Sequence, residues 1–390
     1  MSLRAGTFLF QALLMRKLAI LCGLLVFAHS PLHAAGPGGV ASIDRSLWPE
    51  ALNSQSAFDR ASRAEVLSFG RALSDSERMN DDALRDAIGV KQLDRMAVDH
   101  MRAVYWQRLA ANYRMASADC RPGDDFCEEI ANETDFRRVA ARFEVAREGR
   151  YARWYPADQA FQRTYLHELL RLASLFSRVS SEVDIYSDRE LTGNELADRQ
   201  FLLTFDDGPS RADGNTDKLL ATLRQRHLSA TFFVLGTSLQ QRLGQTSASQ
   251  LATTYQGMCV GTHGWEHKSH GTWAEWQGSI ERSMSLVRST VPASATPLFR
   301  PPYGQRRSDS GPFFASHGLR VALWNIDSQD WSAKVDADQV RQRVLTLMLL
   351  WRRGVILFHD IHPKALTAVP WLLDQTSGAN VKWIDCQSYR

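Results

Sequence analysis

The chain has 390 residues, with 46 Lys and Arg against 43 Asp and Glu for a net charge of +3. That length allows two domains at roughly 150 residues each. Apolar residues at 44% and charged residues at 23% support a packed core and exclude wholesale disorder. The near balance of charge excludes a protein built to coat a nucleic-acid backbone.

In chain order, the first signal is the apolar run Leu18–Ala28, preceded by Arg16 and Lys17. It is too short to span a bilayer comfortably and has the length of a secretory signal core, with small residues at Ala34 and Ala35 for cleavage; an uncleaved N-terminal anchor is the alternative. It is the one long apolar run in the sequence, which excludes a multi-span membrane protein. Residues 1–35 therefore read as a signal peptide, and the mature chain as exported, periplasmic or secreted, with no membrane span after signal removal. Removing the signal discards Cys22 and leaves Cys120, Cys127, Cys259 and Cys386, an even set for an oxidising compartment. Four cysteines permit three connectivities. The turn-rich stretch between Cys120 and Cys127 favours a local bridge, which would leave Cys259 to Cys386; four unpaired thiols are the alternative.

Residues 41–199 read as a mainly helical, Arg-rich domain. Phe161, Tyr165, Leu169, Leu172, Phe176 and Val179 recur at steps of three and four, the seam of an amphipathic helix. A second such stretch runs from Leu93 to Met115, and Asn80 or Asp81 is placed to cap a shorter helix. No cluster of catalytic residue types occurs here. His100 and His167 read as ordinary helix residues, and docking of a protein partner is the one role the region suggests.

Beyond Gly193 short apolar runs at 201–205, 230–235, 259–261, 321–326 and 354–358 read as buried strands, with helical stretches at 219–226 and 279–289. Strands alternating with helices argue for a parallel α/β sheet or barrel. Polar clusters follow the strands, where barrel enzymes carry chemistry. They are TFDDGP (204–209), HGWEH (263–267), RPPYG (300–304), DSQDW (327–331) and LFHD (357–360). Two imidazoles four residues apart with a carboxylate can hold one ion and leave coordination open for water, as a hydrolytic site needs. His270 and His362 read as neighbours of this set rather than ligands.

The ordered set resembles the polysaccharide deacetylase (NodB-homology, carbohydrate esterase) family over 200–390, about half of the chain. The resemblance implies a distorted (β/α) barrel, preceded here by the helical domain. It also implies a divalent metal, zinc first, and hydrolysis of N-acetyl groups on a glycan containing N-acetylglucosamine, either peptidoglycan or a secreted polysaccharide. Carried over residue by residue, Asp207, His263 and His267 resemble the metal ligands and Asp206 the catalytic base. His359 resembles the acid that protonates the leaving amine, and the backbone N–H of Tyr303 a donor to the oxyanion. Arg300 resembles the residue that orients the base, Asp330 the one that tunes the acid, and Trp331 and Leu357 the walls of the acetyl pocket. The family places Ser or Thr second in the His motif, where this chain has Gly264, so the resemblance implies a ligand loop without its usual brace. An O-acetyl esterase on a xylan-like polymer and a catalytically silent glycan-binding protein are the alternative readings.

Overall fold

The computed structural model describes residues 39–176 and 185–389; the apolar run read as an export signal lies outside them. Helices come first: α1 (Gln55–Glu77), α2 (Asp81–Ile88), α3 (Arg95–Ala116), α4 (Glu133–Ala140) and α5 (Trp154–Leu175). Four of them begin on a polar side chain that accepts a first-turn N–H: Ser54, Asn80, Asp94 and Asn132. The helix expected over 93–115 is α3. The seam running from Phe161 is α5, which ends at Leu175; Val179 lies outside the described residues.

The rest of the chain alternates strand and helix. Its elements are β1 (Gln200–Asp206), α6 (Asn215–Gln225), β2 (Thr231–Val234), α7 (Gly236–Leu243), α8 (Ala248–Thr254), β3 (Cys259–Thr262), α9 (Trp276–Thr290) and β4 (Ala295–Phe299). Then follow α10 (Gly311–Ser316), β5 (Arg320–Val321), β6 (Ile326–Asp327), α11 (Ala337–Trp351), β7 (Gly354–His359), α12 (Lys364–Thr376) and β8 (Lys382–Trp383). Every ladder is parallel, in the order β5-β4-β3-β2-β1-β7-β6, with β8 beside the start of β1. The two edges, β5 and β6, are consecutive in the chain. The sheet is thus a distorted α/β barrel left open between them.

One strand differs from expectation. The run 321–326 is two short strands rather than one, because the backbone between them is used otherwise. The carbonyls of Ala322 and Leu323 accept from the Arg300 guanidinium at 3.0 and 2.9 Å. Leu191 pairs beside them, its N–H donating to Val321 O and its carbonyl accepting from Leu323 N. A segment that precedes β1 therefore continues the sheet past β5.

The helical layer has a packing reason to be where it is. Helix α11 is buried on every face from Val344 to Trp351, and a helix apolar all round must be covered on both sides. The sheet covers one side and α1, α3 and α5 the other, within a single core cluster. Polar ties cross the same junction: Ser62 Oγ donates to Leu349 O, Asn112 Nδ2 to Leu350 O, and Trp351 Nε1 to Tyr165 Oη. Cys120–Cys127 and Cys259–Cys386 are bridged, the connectivity expected from the spacing. The described residues form one compact unit, and none of their helices is long and apolar enough to cross a membrane.

Candidate active site

Parallel register gathers the polar clusters at one end of the sheet. Asp206 on β1 lies directly beside His359 on β7. Asp207, His263 and Arg300 are the first residues after β1, β3 and β4, so all of them emerge at the carboxyl edge, where a barrel presents its chemistry.

Asp207 takes a left-handed φ of +76°, and both it and Asp206 approach His263 Nε2, with Asp206 Oδ2 at 3.8 Å. Asp207 Oδ1 is buried and accepts no hydrogen bond. That atom lies 3.5 Å from His263 Nε2 and 3.6 Å from His267 Nε2. The Nδ1 of His263 is 2.7 Å from the carbonyl of Arg300, so Nδ1 carries the proton and Nε2 presents its lone pair. Burial and the neighbouring His267 push His263 well below the ordinary histidine range, and burial also lowers His267 despite Asp207. Two neutral imidazoles facing an orphaned carboxylate oxygen form an N,N,O donor set that fits a divalent cation of zinc's type. Among the described residues these three are the sole such group.

The adjacent carboxylate is held differently. Arg300, fully buried, donates to Asp206 Oδ1 at 2.9 Å and to Thr204 Oγ1 at 2.7 Å. Burial pushes the Asp206 carboxyl up while Arg300 and His359 pull it back, leaving it at about 6. Across the register, burial works against protonation of His359, but Asp330 reverses that. Its two oxygens accept from His359 Nδ1 at 2.7 Å and from His359 N at 3.0 Å, and with Asp207 and Asp206 behind they lift the imidazole to about 10. A carboxylate and an imidazolium side by side with separated pKa values make a base and an acid available together.

Tyr303 sits at φ +60°, with its ring edge-on to His267 at 4.5 Å between centroids. Its turn is fixed by Arg306, which donates to Gly304 O at 3.1 Å and grips Glu190. Trp331 is half-exposed at the rim and Leu357 is buried in β7. All ten residues singled out from the sequence therefore lie on the strand ends and loops of this one edge. Two features were not read from the sequence. Asp360 is buried against Gly208, accepts from Thr216 Oγ1 at 2.7 Å, and is lifted by burial to about 7; its place next to His359 was the available signal. The Glu190–Arg306 pair had none, since its partners are 116 residues apart.

Residues 193–322 match the polysaccharide deacetylase family. A peptidoglycan-N-acetylglucosamine deacetylase of Bacillus cereus is 32% identical over 195 residues, covering 48% of this chain and 68% of the relative. The chain belongs to the polysaccharide deacetylase family. A chitooligosaccharide deacetylase of Bradyrhizobium is 30% identical over 46% of this chain and 80% of its own length. Peptidoglycan-N-acetylglucosamine deacetylases of Listeria monocytogenes are 28% identical, and the match spans 38% of their length. A family 4 carbohydrate esterase of Streptomyces lividans, solved with acetate, aligns at 32% identity and a TM-score of 0.40, over 47% of this chain and 90% of that one. Polysaccharide deacetylases are carbohydrate hydrolases and in general metal-dependent, which agrees with the donor set at Asp207, His263 and His267.

Proposed function

We propose that the protein is an exported, metal-dependent deacetylase that hydrolyses the N-acetyl groups of an N-acetylglucosamine-containing glycan, with peptidoglycan as the first substrate. One observation carries the reading: an orphaned Asp207 oxygen facing two neutral imidazoles, flanked by an Arg-held carboxylate and an Asp-held imidazolium. The peptidoglycan and chitooligosaccharide relatives support the substrate class.

Asp207, His263 and His267 would hold the cation, which supplies Lewis-acid polarisation of the acetyl carbonyl and lowers the pKa of a water. Asp206 removes the proton from water as its oxygen forms a bond to the acetyl carbon. Arg300 holds that carboxylate in line and keeps it ionised at neutral pH. The backbone N–H of Tyr303 donates to the oxygen on which charge accumulates; one such donor is typically worth about 10²–10³ in rate. His359 gives its proton to the sugar nitrogen as the C–N bond breaks, leaving acetate and a free amine. Asp330 keeps His359 charged until that step. Trp331 and Leu357 wall the acetyl pocket.

The test is acetate release by the full chain from peptidoglycan fragments, chitin oligomers and acetylxylan, with chelator and with Zn2+ restored. Chelator-sensitive release from the first two is expected. Release from acetylxylan alone would make the protein an O-acetyl esterase, the reading favoured by a xylanase/xylan deacetylase relative of Cellvibrio japonicus, 33% identical over 167 residues. Absence of release from all three, with Asp206→Asn binding glycan as the unaltered chain does, would make it a binding protein.

A further inference from the structure

The His267 ligand stands on the loop between β3 and α9, and Gly264 gives that loop no side chain of its own. Gly264 adopts φ +85°, and a Cβ there would lie 2.6 Å from Cε1 of His270 and 3.1 Å from Ser279 Oγ. The space beside the backbone is thus already taken by the imidazole of His270, which is 1% exposed and has no part in the mechanism above.

Its hydrogen bonds have one consistent reading. Nδ1 of His270 lies 2.8 Å from the carbonyl of Lys268, an obligate acceptor, so Nδ1 carries the proton. Nε2 is then an acceptor, and its partner at 3.0 Å, Ser279 Oγ, must donate. That hydroxyl oxygen in turn accepts from the N–H of Trp265 at 2.7 Å. The chain of donors runs from Trp265 N–H through Ser279 and His270 to Lys268 O, so it ties the backbone on both sides of His267 to the first turn of α9. The ring is also wedged between Phe299 and Trp273. On the opposite side the carbonyls of Gly264 and Trp265 accept from Gly236 and Thr237 at the start of α7, but nothing there reaches Lys268.

We infer that His270 and Ser279 are positioning residues that hold the His267 loop in its ligand geometry, replacing a side chain at position 264 with a brace from α9. The inference rests on Asp207, His263 and His267 holding a cation, so its test has one readout with the cation and one without. Zn2+ affinity of the metal-free full chain is measured by competition with a chromophoric chelator for His270→Phe, His270→Ala, Ser279→Ala and the Ala/Ala double variant. Amide exchange of residues 262–270 is followed in the same metal-free proteins. His270→Phe keeps a ring of similar size while losing both hydrogen bonds, so it separates bracing from packing.

The expected result is Zn2+ affinity weakened about 10–100-fold in each single variant, with the double variant no weaker than the worse single, and exchange accelerated at residues 262–270 beyond any change in the rest of the chain. Wild-type exchange and wild-type Zn2+ affinity in His270→Phe would overturn the brace. If the unaltered chain binds no Zn2+ while His270→Phe still accelerates exchange, the brace stands and the metal reading falls. If neither occurs, both fall.

Discussion

Two of the buried charges among the described residues, Arg343 and Asp207, are finished in opposite ways. At the junction between the helical layer and the barrel, Arg343 spends every guanidinium nitrogen. Nε donates to Asp327 O, Nη1 to Ala41 O and Glu168, and Nη2 to Glu168 at 2.7 Å. At the carboxyl edge of the sheet, Asp207 keeps an oxygen with no donor at all. An unpaired buried oxygen costs about 1–3 kcal/mol, more when it is charged, and persists only where something else offsets it. On the proposed function, the Arg343 site serves stability and the Asp207 site holds a cation. The contrast explains why a motif search finds the edge and passes over the junction.

The comparison can be broken by altering one side and reading both activity and stability. His359→Gln, whose amide can still donate to Asp330, should lower kcat about 10²–10⁴-fold with a smaller loss of stability than Glu168→Ala; an equal loss would mean that the edge is also structural. Glu168→Ala leaves Arg343 buried without its carboxylate, and should cost about 3–5 kcal/mol in denaturant unfolding while Zn2+ affinity of the folded fraction is preserved. Equal loss of both would erase the distinction between the two regions. Replacing Cys259 and Cys386 together by Ser removes a bridge across 127 residues and should cost about 2–4 kcal/mol, again without changing the chemistry.

The smallest effect is the most specific. His359 is held at about 10 against an ordinary 6.5, so its charged form is complete at neutral pH and is lost as pH rises through about 10. The same sign holds for stability: the pair's contribution is complete below 6.5 and disappears as pH rises through about 10. Asp330→Asn should therefore move the alkaline limb of the kcat profile to lower pH and flatten the fall of stability across that window. An unmoved limb would remove His359 as the acid.

Much of the edge was legible in the sequence because each of its residues sits within a few positions of an apolar strand, and strand ends in a parallel sheet point one way. Asp206, Asp207, His263, Arg300 and His359 needed no knowledge of distant partners. The run at 321–326 has the apolar content of one strand, but that content does not reveal that Arg300 and Leu191 claim the intervening backbone. His270 read as a bystander since its use depends on Ser279 and on the room that Gly264 leaves. The helical layer carried a clear period but no statement of what it covers, for the helix it covers, α11, lies more than 150 residues further on.

The pairing of Leu191 beside β5 has a practical meaning for anyone who would treat the catalytic half as a portable module. The family match begins at residue 193, yet the strand substitute at Leu191 and the Glu190 that anchors the Tyr303 turn lie before it. A chimaera or expression boundary placed at the edge of the match would cut through the sheet rather than beside it. A boundary at about residue 185 would keep those two residues yet strip α1, α3 and α5 from the apolar face of α11, so the unit to transplant is the whole of residues 39–389.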